Sequence, residues 1–168
     1  MCMTRTTTEK LAAALAYSPF MANVTAALES KTNIALILGV MDSCLTIREM
    51  FGLVSCDAPL QSIEQMLHER FGDCSVRIGD AFLILLTGDR ATKALEIAES
   101  IRATVELISP TLDERFLVTM HFGITRASSQ RTKVNGFTEM LQSADEAILA
   151  GQTKLIANRV YEPIGILE

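Results

Sequence analysis

Cysteine, proline and positive charge are all scarce in this chain, and each scarcity argues against a class of protein. Its 168 residues hold four cysteines, Cys2, Cys44, Cys56 and Cys74. No two of them form a Cys-x-x-Cys, and the two histidines, His68 and His121, complete no ligand spacing with them. That argues against a zinc module, and no metal ligand set or cofactor is expected. The cysteines read as reduced thiols of a soluble cytoplasmic protein. Nine glycines and four prolines are too few for a disordered chain, and 49% hydrophobic residues suit one globular core. Acidic side chains outnumber basic ones by 20 to 15, for a net charge of −5. A duplex-binding protein would normally carry a basic face, so nucleic acid is not an expected partner. The longest apolar run, Ile34–Met41, falls far short of the ~20 residues that span a bilayer. The opening MCMTRTTTEK has no signal-peptide core, so no membrane association is expected.

What the chain does contain is strong hydrophobic patterning. Thr8–Tyr17 is rich in alanine and leucine, with Leu11 and Leu15 one helical turn apart. Ser18 reads as an N-cap and Pro19 as the first residue of a second helix, which runs to about Ser30 with Phe20, Val24 and Leu28 on one face. Asn33–Met41 is continuously apolar and reads as a buried strand. Asp42 is placed to cap a helix through Phe51 that Gly52 stops, and Asp57 to cap another that ends near Phe71. Asp89–Ser109 reads as one long helix facing inward with Ala94, Leu95, Ala98, Ile101 and Val105, and Pro110 ends it. Arg115–Ala127 reads as a strand, Phe137–Ala150 as a helix with Met140, Leu141, Ala144 and Ile148 inward, and Asn158–Tyr161 as a short last strand. The order is βααββαβαβ after a helical lead-in. It predicts an α+β fold, a mixed central sheet flanked by helices. The expected division is residues 1–31 as the N-terminal helical segment and 32–168 as the domain.

Between the helices lies Arg70–Leu86, RFGDCSVRIGDAFLILL. Two apolar runs, Cys74–Ile78 and Ala81–Leu86, flank Gly79-Asp80, a pair that tolerates the positive φ of a tight hairpin turn. A lone carboxylate, Asp80, stands at the tip, and an Arg-x-x-Asp, Arg70 and Asp73, stands at the base. This stretch resembles the signature hairpin of the GGDEF family, the diguanylate cyclases, which reads Arg-x-x-Asp, five residues, then Gly-Gly-Asp/Glu-Glu-Phe. Here five residues, Cys74–Ile78, separate Asp73 from Gly79-Asp80-Ala81-Phe82, with one glycine missing and Ala81 in place of the glutamate. The resemblance covers roughly residues 33–162 and implies the nucleotide-cyclase-like fold of that family.

The resemblance also implies roles for particular positions. A diguanylate cyclase joins two GTP molecules and needs carboxylates to hold divalent metal against triphosphate. The metal-binding aspartate at the end of the first strand is matched by Val40, which offers no oxygen. Asp42 matches the second acid. The guanine-reading asparagine is matched by Arg48, a donor-only side chain, while the guanine-reading carboxylate is matched by Asp57. Asp42, Asp57, Gly79 and Asp80 are thus read as vestigial active-site positions. Helix caps at Asp42 and Asp57 and a turn at Asp80 also account for those residues. Gln152 matches a phosphate-facing lysine. With metal, base and phosphate contacts altered together, no catalytic residue is expected.

Arg70 and Asp73 match the family's inhibitory site, which binds the product, cyclic di-GMP. A guanidinium grips phosphate or guanine bidentately, and a carboxylate accepts from guanine N–H groups. A surface salt bridge between the two would serve equally well as an explanation. Ser100 stands where some relatives add a second arginine. Three readings remain. The chain is an inactive regulatory pseudoenzyme that signals by binding cyclic di-GMP, a protein partner, or both. Or it is a ligand-free interaction or homodimerisation module. Or it is an active cyclase with a reorganised site.

Overall fold

The computed structural model describes residues 5–30, 32–42, 44–52, 55–112, 117–127, 136–152 and 159–162. The fold is built on β1 (Ile34–Met41), whose unbroken apolar run is buried along nearly its whole length. A strand without a polar face must be covered on both sides, so it sits at the sheet centre. It pairs antiparallel with β3 (Ala81–Thr87) on one side and β4 (Met120–Ala127) on the other. β2 (Ser75–Ile78) adds to β3, and β5 (Val160–Tyr161) adds parallel to β4, for a five-stranded order β2-β3-β1-β4-β5.

Alternate residues of β1 enter two separate cores. Ala35 and Ile37 join α3 (Cys44–Phe51), α4 (Asp57–Phe71) and α6 (Ala94–Leu112) through Ile47, Leu60, Ile63 and Ile101. Leu36 and Leu38 face α2 (Pro19–Glu29) and α7 (Gly136–Gln152) through Phe20, Val24, Leu141 and Ile148. α1 (Arg5–Leu15) lies against α7, and its Leu15 is buried in the same core. α7 sits so close to β4 that a Cβ at Gly123 would come within 2.0 Å of the Ala144 carbonyl oxygen, so only glycine fits there. Among the described residues no helix is long and apolar enough to cross a membrane.

The expected α+β fold is the observed one, and several local expectations hold with it. Ser18 caps α2, its hydroxyl accepting from the Met21 N–H, with Pro19 at the first position. Ile78 pairs with Ala81, which leaves Gly79-Asp80 as a two-residue hairpin loop with Gly79 at φ +60°.

Other expectations are corrected. The Asp89–Ser109 helix is two helices, α5 (Asp89–Thr92) and α6, because the Lys93 N–H folds back onto the Arg90 and Ala91 carbonyls. Pro110 does not stop α6, which continues to Leu112. Proline lacks an N–H and so forfeits one intrahelical bond, and the helix runs only two residues beyond it. Leu95, expected inward, is exposed, because it sits one position off the α6 stripe that buries Ala94, Ala98, Ile101 and Val105. Asp57 is the first residue of α4, not its cap; Cys56 holds that position and makes no side-chain cap bond. Residues 128–135 and 153–158 lie outside the described residues.

Candidate functional site

Three groups of polar side chains gather at the ends of the sheet. The first lies under the β2–β3 turn. Arg48 on α3 reaches Asp80 at the turn tip and closes a bidentate ion pair, Nη1 to Oδ2 at 2.6 Å and Nη2 to Oδ1 at 2.7 Å. The planar fork of a guanidinium matches the two carboxylate oxygens. Its Nη2 also stands 3.8 Å from Asp57, so Arg48 bridges α3, α4 and the hairpin. The hydrogen bonds it donates to Asp80 raise the Arg48 pKa above its already high ordinary value, so the cation is permanent.

One turn before Arg48, the Cys44 thiol is pushed up to about 12, chiefly by burial, then by its hydrogen bond with Cys56 and by the Asp80 charge. The Cys56 thiol donates to the Cys44 carbonyl at 3.4 Å. Val40 and Ala81 are direct partners in the β1–β3 ladder, so two hydrocarbon side chains lie next to each other beneath the ion pair. Beyond them opens a pocket of about 290 Å³ whose lining includes Leu11, Val40, Ala81, Leu83, Leu141 and Asp145.

The second group is at the end of α4. Arg70 is exposed and donates through Nη1 to Ser100 Oγ on α6 at 3.3 Å. Its guanidinium stacks over Phe71 at 5.2 Å from the ring centroid, and Arg90 of α5 lies 5.0 Å from the same ring. Gly72 ends α4 at φ +55°, and Gly72–Cys74 form one 3-10 turn. Asp73 on this turn is exposed, and its backbone carbonyl accepts from Asn23 Nδ2 of α2 at 3.2 Å. Among the described residues no ion pair joins Arg70 to Asp73, so the surface salt bridge that their spacing allows is not made.

The third group is buried. Asp42 accepts from the Thr119 hydroxyl at 2.7 Å and is hydrogen-bonded to His121 Nδ1. A cap is a contact within one turn; these partners, Thr119 just before β4 and His121 within it, are brought beside β1 by strand pairing. Among the described residues no three histidine, cysteine, aspartate or glutamate side chains converge as a metal site.

The fold thus brings Asp57 and Asp80 together through Arg48, leaves Asp42 apart with Thr119 and His121, and sets Arg70 and Asp73 at the opposite end of β2 from the hairpin tip. Sequence reasoning missed the Arg48–Asp80 pair, the partners of Asp42, and Arg90 with Phe71. A cation at a position where an amide was expected, in a chain that keeps an acid at the hairpin tip, was the available signal for the first. Nothing local marks the others.

The chain matches the family model described as the diguanylate cyclase GGDEF domain over residues 15–154. No curated protein matches it. Among solved structures it is similar to the active GGEEF domain of a diguanylate cyclase from Vibrio cholerae, at 18% identity and a TM-score of 0.68, covering 86% of this chain and 91% of that one. It is also similar to the GGDEF domain of DgcB from Caulobacter crescentus in complex with cyclic di-GMP, at 17% identity and a TM-score of 0.70, covering 85% of each chain. A third is the diguanylate cyclase SiaD from Pseudomonas aeruginosa in complex with its activator SiaC, at 18% identity and a TM-score of 0.63, covering 92% of this chain and 57% of that one.

Proposed function

The chain belongs to the GGDEF domain family, and from that premise we propose that it makes no cyclic di-GMP and acts as a regulatory domain by binding. The Arg48–Asp80 pair carries this reading. The acid at the hairpin tip is the carboxylate that would face metal and triphosphate. Both its oxygens are engaged by a guanidinium standing at the position the family uses to read guanine. Val40 and Ala81, paired across the ladder, offer no oxygen to replace it. Magnesium requires oxygen ligands, and two hydrocarbon side chains supply none.

The ligand we propose is cyclic di-GMP, at the end of α4. Arg70 and Asp73 are exposed there, Arg90 adds a second cation, and neither arginine is taken by a carboxylate in an ion pair. The DgcB domain is a structural relative solved with that nucleotide. A protein partner is the second reading. Leu45, Met50 and Phe51 of α3 are exposed, and SiaD is a relative solved with an activator protein.

Two measurements on one sample test the proposal. Incubation with GTP and Mg²⁺ or Mn²⁺, followed by chromatography, is expected to give no cyclic di-GMP above a protein-free control. Calorimetry with cyclic di-GMP is expected to give a saturable heat. Sustained turnover sinks the first half. No heat at high nucleotide concentration sinks the second and leaves the interaction module.

A further inference from the structure

The pocket under the β2–β3 turn borders the proposed dead site, and its largely apolar walls define what it can take. It is lined by Leu83 and Val40 of the sheet, Leu141 of α7, the hairpin residues Ala81 and Ile78, and Leu11 of α1. Among the described lining residues the polar ones are Asp80 and Asp145, both acids, and none is a cation. Asp80 is already held by Arg48, and Asp145 is buried.

These walls exclude the ligand that a nucleotide cyclase would hold. A triphosphate needs cations, backbone donors or metal around its oxygens, and burying charge against hydrocarbon without them is strongly unfavourable. An apolar molecule meets the opposite conditions, because every wall it touches releases water on contact. Size is adequate: apolar cavities of about 150 Å³ take up benzene, and this one is about 290 Å³.

We propose that this pocket is a binding site for a neutral, apolar compound of two or three aromatic rings, held between the hairpin, α7 and α1. The ligand touches Leu11, so it binds the form in which α1 is docked and draws the equilibrium toward that form. Occupancy of the pocket therefore fixes the position of the helix that leads into the domain. The inference rests on the reading that the cleft beside the hairpin does not process GTP. It does not depend on cyclic di-GMP binding at Arg70.

The test uses N-phenyl-1-naphthylamine, a neutral probe whose fluorescence rises in apolar surroundings. Titrated into the full chain it should bind saturably at one site. Val40→Phe, which fills the pocket, should weaken binding at least about tenfold, and Leu11→Ala by several-fold through loss of its contact. Ala81→Leu is the milder filling variant and decides the matter if Val40→Phe does not fold by circular dichroism. Excess GTP–Mg²⁺ should leave the probe signal unchanged. Absence of saturable binding to wild type overturns the proposal. So does undiminished binding to the folded filling variant. Displacement of the probe by GTP–Mg²⁺ overturns the reading that the cleft is closed to nucleotide, whichever way the variants behave.

Discussion

The cleft under the β2–β3 turn and the end of α4 each hold an arginine and an aspartate, and they use them oppositely. In the cleft the charges face one another: Arg48 closes on Asp80 through two bonds under 2.8 Å, with a buried thiol behind and hydrocarbon beneath. At the end of α4 the charges face outward: Arg70 makes one 3.3 Å bond to a serine and stacks on Phe71, while Asp73 is exposed. An ion pair satisfied within the fold has little left for a ligand. A guanidinium held by ring stacking and one weak bond keeps most of its donors available. The same two residue types thus read as structure in one place and as recognition in the other.

The largest test of that contrast is chemical. The Cys44 thiol, behind the ion pair, is pushed from 9.0 to about 12. At pH 8 it should form thiolate about a thousandfold less than an unperturbed cysteine and resist alkylation accordingly. Iodoacetamide followed by mass spectrometry should label Cys74, half-buried beside the 3-10 turn, and leave Cys44 unmodified. The folded value lies above the unfolded one, so the unfolded chain loses this proton first as pH rises past 9.0. Stability is therefore unaffected by this group below that pH and falls between there and about 12, by at most ~1.4 kcal/mol per pH unit. Rapid labelling of Cys44 at pH 8 would mean that the cleft is open.

Next in size is the nucleotide. A charge-assisted contact contributes roughly 1.5–3 kcal/mol, so Arg70→Ala should weaken cyclic di-GMP binding by about ten- to a hundredfold in calorimetry. Asp73→Asn should cost less, because it keeps an acceptor oxygen. Asp80→Ala should leave the affinity unchanged. If Asp80→Ala abolishes binding and Arg70→Ala does not, the two regions have been assigned the wrong way round.

Asp80→Ala should instead register in stability. It removes both bonds from the half-buried Arg48 guanidinium to that carboxylate, and about 1–2 kcal/mol should be lost in urea unfolding, read as a lower midpoint at constant slope. Asp57→Asn should be the smallest effect. That carboxylate is 56% exposed and 3.8 Å from its partner, so screening by water leaves less than about 0.5 kcal/mol. A loss from Asp57→Asn as large as that from Asp80→Ala would show that Arg48 depends on both acids equally.

Most of the fold could be read from the chain because its signals are local. The apolar run of β1, the Ser18-Pro19 start of α2 and the Gly79-Asp80 turn each act within a few residues, and each appears where the sequence places it. The Asp57 cap is misplaced by one residue for the same reason inverted, since an aspartate favours either the cap or the first turn. The site was less legible. Arg48 and Asp80 are 32 residues apart and meet only because α3 packs beside the hairpin. Arg90 reaches Phe71 only because the chain breaks at Lys93, an irregularity that a helical stripe does not encode.

The bonds of Asp42 carry a consequence for the order in which the chain assembles. Thr119 and His121 lie 77 and 79 residues downstream, so this latch closes a long loop. The β2–β3 hairpin and the helices form from neighbours in the chain and can precede it, whereas the latch must wait until β4 has found β1. A contact that closes this late is expected to weigh on unfolding: Asp42→Asn should speed unfolding more than it slows folding in stopped-flow measurements.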